Sequence, residues 1–144
     1  MCAAADVVVA CFDLTVFVYG TLKAGGRYWH EFCEGKLAAE PVAAKIRGAL
    51  YDLHVGYPGL LLNDAGWVQG YVLEFKTEKD FLRLDYLEGY LPERSESQNE
   101  YNRLKVPCFA VDGQALGEVW VYEMTAATAA RHRGTRIASG DWAV

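Results

Sequence analysis

Apolar residues recur at every second position through most of this chain and at every third or fourth position in one segment only. That single change of period constrains the fold more than anything else. Trp67 to Phe75 alternates like a strand, with Val68, Gly70, Val72 and Glu74 facing one way and Trp67, Tyr71, Leu73 and Phe75 the other. At Thr77 the pattern switches. Phe81, Leu84 and Leu87, joined by Leu82 and Tyr86, fall on one side of a helix. Thr77 with Asp80 three residues on is a capping-box-like start. Gly89 suits the position just past the last turn, so the spacing ends this helix near Glu88.

The remaining elements are strand-like and short. Leu14 to Tyr19 is rich in β-branched and aromatic residues and reads as a buried strand ended by Gly20. Arg27 to Cys33 is long enough for one or two helical turns. Lys36 to Leu53, broken by Pro41 and Gly48, fits two strands better than one helix. Tyr57-Pro58-Gly59 is a turn, followed by the short strand Leu60 to Leu62. Pro92 to Asn99 is a polar loop. Tyr101 to Val111 and Ala115 to Met124 form two strands hinged at Asp112-Gly113. Thr125 to Arg131 suits a helical turn, and the last dozen residues read as irregular. An order of about six or seven strands, one main helix and short flanking helices predicts an α+β fold. Its small mixed sheet would be strongly curled or closed like a barrel.

The 144 residues are 52% hydrophobic and 23% charged. Surface scaling buries roughly 68% of the unfolded chain's area, enough for a core without disulfides or metal. The expectation is one domain over residues 1–144, with 1–13 and 131–144 at its periphery. A formal net charge of −5 argues against nucleic acid as a partner. The one basic cluster, Arg131, His132, Arg133 and Arg136, reads as a solvated tail. No apolar run is long enough to span a membrane. Met1 to Val9 is apolar but lacks a basic leader and contains Asp6, which points away from secretion. Cys2, Cys11, Cys33 and Cys108 form no CxxC, so reduced thiols in a cytoplasmic protein are expected. His30 and Cys33 make an H-x-x-C pair without a second pair at zinc-site spacing, so no metal is expected.

Two places carry candidate chemistry. The loop Tyr19-Gly20-Thr21-Leu22-Lys23 follows a buried strand, and a glycine there lets successive N–H groups converge on a carboxylate or phosphate. Gly20 is expected at positive φ, where a β-branched replacement would damage the loop. The loop is not a Walker A sequence, because Gly25 is followed by Gly26-Arg27 instead of Lys and Ser or Thr. An ordinary strand-ending turn remains the plainer reading of the pattern. The second place is Glu88. At a helix C-terminus the macrodipole disfavours negative charge. Asp85, one turn earlier, adds like-charge repulsion, and both effects raise the proton affinity of Glu88. A solvent-exposed glutamate is the plainer alternative. His30, His54 and His132 fit no catalytic pattern. Cys33 and Cys108 read as core thiols, and Trp67, Tyr71, Trp120 and Tyr122 as mostly core aromatics.

Taken together, these segments resemble a known family. Val16 to Lys23 (VFVYGTLK) is similar to the opening strand and Tyr-Gly-Ser/Thr-Leu loop of the γ-glutamylcyclotransferase-like (AIG2-like) proteins. Leu84 to Tyr90 resembles their L-D-x-x-E-G-Y segment. Tyr101-Asn102-Arg103 resembles the Y-x-R of the next strand, and Val119 to Tyr122 the late strand ending in tyrosine. The matches run in order from Leu14 to Tyr122 and are most like the short branch containing γ-glutamylamine cyclotransferase. The resemblance implies a small barrel enclosing a pocket and a cofactor-independent cyclisation that releases 5-oxoproline from a γ-glutamyl compound. It assigns Glu88 as general acid/base, and the backbone of Tyr19, Gly20, Thr21 and Leu22 as the holder of the glutamyl end. Tyr122 would hydrogen-bond within the pocket. Arg27 to Glu34 and Leu91 to Asn99 are expected to rim it. The leaving group and the oligomeric state are not legible.

Three rival readings use the same residues. A non-catalytic ligand-binding or regulatory module would keep the pocket without turnover, but a binder of an anionic group gains nothing from Glu88. A phosphate- or nucleotide-binding protein would use the Gly20 loop with Lys23 and Arg27, and the missing Walker residues count against it. An interaction protein with a vestigial pocket would leave Glu88 exposed.

Overall fold

The computed structural model describes residues 13–63 and 65–143. The apolar start and two of the cysteines, Cys2 and Cys11, lie outside that set. Eight strands and three α-helices follow one another: β1 (Thr15–Val18), α1 (Trp29–Phe32), β2 (Val42–Arg47), β3 (Ala49–Asp52), β4 (Pro58–Leu61), β5 (Trp67–Glu74), α2 (Glu78–Leu87), β6 (Tyr101–Ala110), β7 (Ala115–Met124), α3 (Ala126–Arg131) and β8 (Thr135–Arg136). One 3₁₀ turn, Glu96–Gln98, lies in the polar loop before β6.

Five strands close into a barrel in the order β1-β5-β2-β6-β7. Its neighbours are antiparallel except at the seam, where β1 meets β7 in parallel through Val16 and Trp120. A second sheet has the order β4-β3-β8. The expected α+β architecture with a barrel-like sheet is therefore present. The strand count exceeds the expected six or seven because β8 is only two residues long, too short to leave a pattern.

Alternation on the strands feeds two cores. Phe17, Ala44, Ile46, Val68, Cys108, Val119 and Val121 come from all five barrel strands and pack together inside it. The opposite face of β1 and β5 gives Val16, Val18, Leu73 and Phe75, which pack with Phe81 and Leu84 of α2. The two faces read from Trp67 to Phe75 are thus both used, one for each core. Tyr71 is a correction: it is 38% exposed on the outer wall. Trp67 also lies on the outside, with Lys45 and Arg47 over its ring and Phe109 against its edge.

α2 begins and ends where its sequence says it should. The Thr77 side chain accepts a hydrogen bond from the Asp80 amide at 3.1 Å. At the other end Gly89 adopts φ +67°, its N–H reaches the Tyr86 carbonyl, and the Tyr90 N–H reaches that of Asp85. This pair of bonds satisfies carbonyls the last turn would otherwise leave open. Glu88 is fixed as the capping residue between them.

The final segment is not peripheral. β8 pairs with β3, Ile137 donates to the Leu50 carbonyl, and Gln69 donates to that of Gly140. Ile137 and Trp142 pack against the barrel core. The irregular backbone of these residues hides the attachment from sequence patterning. Arg131, Arg133 and Arg136 are exposed, as the solvated-tail reading requires. No described helix is long and apolar enough to cross a membrane.

Candidate active site

A cavity of about 220 Å³ opens where the end of β1, the start of β4 and the C-terminus of α2 converge. The structure brings all six residues singled out in the sequence, Tyr19, Gly20, Thr21, Leu22, Glu88 and Tyr122, to this one wall-to-wall space. They come from three separate stretches of chain, so their meeting is a product of the barrel closure.

Two tyrosines brace the walls. The Tyr19 hydroxyl donates to the Tyr122 carbonyl at 2.6 Å, tying β1 to β7 across the seam. The Tyr101 hydroxyl donates to the Pro58 carbonyl at 2.7 Å, tying β6 to β4. Both rings are buried, and burial pushes their phenolic pKa values up, so both remain neutral donors.

The Gly20 loop turns by ordinary backbone geometry. Gly20 is not at positive φ, which corrects the expected reason for glycine here. The requirement is space: a Cβ at this position would stand 2.8 Å from Cγ and 2.9 Å from Cδ of Pro58. Real Cβ atoms do not come so close to a ring that has no room to swing aside. The turn itself is held by Lys23 N–H to the Gly20 carbonyl and Tyr28 N–H to that of Thr21. The amides of Gly20, Thr21 and Leu22 donate to no acceptor among the described residues. Lys23 itself is buried and points away. Its ammonium is 2.9 Å from Asp141 and donates to the Trp142 carbonyl at 2.6 Å. Arg27 lies over the Tyr28 ring. Neither cation lines the cavity, which removes the basis of the phosphate-binding reading.

Glu88 faces the cavity and its pKa is pushed up to about 8. Withdrawal from water is the main cause, followed by repulsion from Glu100 and then from Asp85. The Asp85 repulsion was legible in the sequence; Glu100 was not. Gly89 brings it near, since a Cβ there would lie 3.1 Å from that of Glu100. Glu100, Tyr57, Pro58 and Tyr28 complete the rim. Of the two segments expected there, Arg27 to Glu34 supplies Tyr28 and Leu91 to Asn99 supplies nothing. The polar loop turns inward on itself instead, through Asn99 bonds to Leu91, Arg94 and Asn102.

Tyr122 is buried, and its hydroxyl is committed to the Asp85 carboxylate at 2.6 Å. The remaining candidates stand apart. Cys33 and Cys108 are buried, their thiols pushed up to about 12 and about 11 by loss of water. His30 pairs with Glu34, and His54 with Thr135. Among the described residues no three His, Cys, Asp or Glu side chains gather as metal ligands would.

Comparison with known proteins agrees with this geometry. Residues 16–144 match the family model described as gamma-glutamyl cyclotransferase, AIG2-like. The chain is 35% identical over 111 residues to a gamma-L-glutamyl-butirosin B gamma-glutamyl cyclotransferase of Niallia circulans, a match covering 77% of this chain and 68% of that one. An AIG2-like protein from Mus musculus superposes with a TM-score of 0.59 at 26% identity, over 79% of this chain and 78% of the mouse chain. YkqA of Bacillus subtilis gives a TM-score of 0.63 at 24% identity, over 91% of this chain and only 40% of that longer one. The matched residues include every one that lines the cavity, and the chain belongs to the AIG2-like gamma-glutamyl cyclotransferase family.

Proposed function

We propose that this protein cyclises γ-glutamyl compounds, releasing 5-oxoproline and a free amine. The observation that carries the reading is that Glu88 lines one cavity with Gly20 to Leu22, whose amides have no acceptor among the described residues. The substrate's α-amine attacks its own γ-carbonyl, a ring C–N bond forms, and the bond to the leaving amine breaks. No enzyme nucleophile is needed, in keeping with Cys33, Cys108, His30, His54 and His132, none of which lines the cavity. Because the attack is intramolecular, holding the glutamyl chain folded supplies much of the acceleration.

The α-amine arrives as an ammonium and must shed a proton. In becoming the single N–H of the ring, that nitrogen loses two protons in all: Glu88 as carboxylate takes the first before attack and the second after it, and hands each to the departing nitrogen, which leaves as an ammonium with Glu88 again a carboxylate. A general acid/base is most effective when its pKa lies near the working pH. The raised value of about 8 meets that condition, and an incoming ammonium would draw it down toward neutrality. The free amides of the Gly20 loop are suited to the α-carboxylate or to the oxyanion that develops on the γ-carbonyl. The test is 5-oxoproline release from a panel containing γ-glutamyl alkylamines, ε-(γ-glutamyl)lysine, γ-glutamyl amino acids and glutathione. No product from any of them would overturn the reading.

The rim also bears on the leaving group. Among the described residues, Glu88 and Glu100 line the cavity and no Lys, Arg or His does. Once Glu88 and the loop amides have matched the ammonium and carboxylate of the glutamyl end, Glu100 is the acidic side chain left over in the lining. A leaving group with its own carboxylate is repelled there, and a neutral or cationic amine is not. The panel should therefore favour γ-glutamyl alkylamines over γ-glutamyl amino acids. Glu100→Gln should narrow that preference several-fold, mainly through KM. An unchanged preference in Glu100→Gln would remove Glu100 from the account of specificity.

A further inference from the structure

Asp85, Arg103 and Tyr122 form a buried set that the chemistry so far leaves without a task. The Asp85 carboxylate accepts from the Tyr122 hydroxyl through one oxygen at 2.6 Å and meets Arg103 Nη1 through the other at 3.2 Å. Arg103 is packed among the rings of Phe81, Tyr90 and Trp120. Its side chain is 8% exposed and that of Asp85 12%. Three charged or polar groups held this far from water demand a return elsewhere, because a buried ion pair by itself is weak evidence of stabilisation.

The hydrogen-bond arithmetic supplies the return. An ionised carboxylate only accepts, so the Tyr122 hydroxyl must donate to it. Burial and the neighbouring Asp85 charge also hold the phenol firmly neutral. With its one proton committed to Asp85, the Tyr122 oxygen has only lone pairs left to offer. Tyr122 lines the cavity beside Glu88. The cavity lining therefore combines two kinds of group: Gly20 to Leu22, whose amides have no acceptor among the described residues, and Tyr122 and Glu88, whose side chains can accept. Such a combination suits the zwitterionic end of an amino acid, whose carboxylate takes donors and whose ammonium takes acceptors.

We infer that the Tyr122 oxygen accepts a hydrogen bond from the substrate's α-ammonium, and that Asp85 and Arg103 are positioning residues that keep the Tyr122 proton turned away from the cavity. The inference rests on the γ-glutamyl reading of the site and names the atoms that aim the amine. Two acceptors hold the nitrogen, one of which, Glu88, takes a proton. Tyr122 then fixes the direction in which the resulting lone pair faces the γ-carbonyl.

The experiment compares two ligands in the Glu88→Gln protein: γ-glutamyl butylamide and glutaryl butylamide, which lacks only the α-amine. Binding is read by calorimetry. The single variant should prefer the γ-glutamyl compound by about tenfold or more, the scale of a hydrogen bond to a charged group. Adding Tyr122→Phe should cut that preference to no more than about twofold and leave the glutaryl affinity unchanged. Adding Asp85→Leu together with Arg103→Met should do the same without leaving a buried cation alone. A general loosening of the cavity would weaken both ligands alike. A preference absent from Glu88→Gln, or surviving Tyr122→Phe, overturns the inference. Failure of 5-oxoproline release in the wild type is a separate result, because the binding comparison requires no turnover.

Discussion

Glu88→Gln is expected to lower kcat for 5-oxoproline release by about 10²- to 10⁴-fold, the usual contribution of a positioned acid or base. The amide keeps the shape of the side chain and cannot take the proton. The capping bonds of Glu88 and Gly89 are made by the backbone, so α2 should keep its end. Two pH effects accompany the loss. In the wild type, kcat/KM should rise with pH through the Glu88 pKa of about 8 in the free protein. That limb should vanish in the variant. Stability should move in the opposite direction. The folded pKa of Glu88 is raised above its ordinary 4.5, so its contribution to stability is fully present below about 4.5 and is lost as pH rises through about 8. Glutamine does not titrate. The melting temperature of Glu88→Gln relative to wild type should therefore climb from pH 4.5 to about 8 and level off above. Wild-type turnover in this variant would refute the assigned role.

Gly20→Ala should be nearly as damaging, although it adds a single methyl group. Its Cβ would lie 2.8 and 2.9 Å from two ring atoms of Pro58. Either the loop or the start of β4 must shift, and both line the cavity. Misplacement by about 1 Å can cost about 10²-fold in rate. Overpacking of this kind usually costs about 1–3 kcal/mol of stability. The cause is testable by relief. Pro58→Ala removes the two offending atoms and leaves the carbonyl that holds Tyr101, so the double variant should regain much of the activity. If Gly20→Ala is as active as wild type, or if Pro58→Ala brings no recovery, the close approach is not what requires glycine here.

The comparison of sequence with structure turns on how far apart the interacting residues lie. Thr77 and Gly89 announce α2 because a cap is made within four residues of itself. The hinge at Asp112-Gly113 is local too, and Gly113 indeed adopts φ +95°. The two faces of β5 were legible because alternation survives whatever packs against it. The identity of Gly20 was legible but its reason was not, since Pro58 is far along the chain. The same holds for Lys23, which looked like an anion ligand and is paired with Asp141. The rim was misassigned for this reason: Tyr57 and Glu100 reach it through the second sheet and the α2 cap. Leu91 to Asn99, adjacent in sequence to Glu88, satisfies its own polar groups. Family resemblance marked which residues matter, and only the assembled barrel shows which atoms of each are free.

The seam between β1 and β7 has a consequence for how the protein is made. The first barrel strand waits for one of the last: Val16 meets Trp120, Tyr19 reaches Tyr122, and Lys23 is answered by Asp141 and Trp142. During synthesis the Gly20 loop leaves the ribosome before these partners and stays without them until β7 and then Asp141 and Trp142 have followed. Partners so distant in sequence slow the closing step. A nascent fragment ending before β7 holds both Glu88 and the loop, yet it has no seam to set them facing each other. Activity during translation should thus emerge in one step, when the seam closes, instead of growing with chain length.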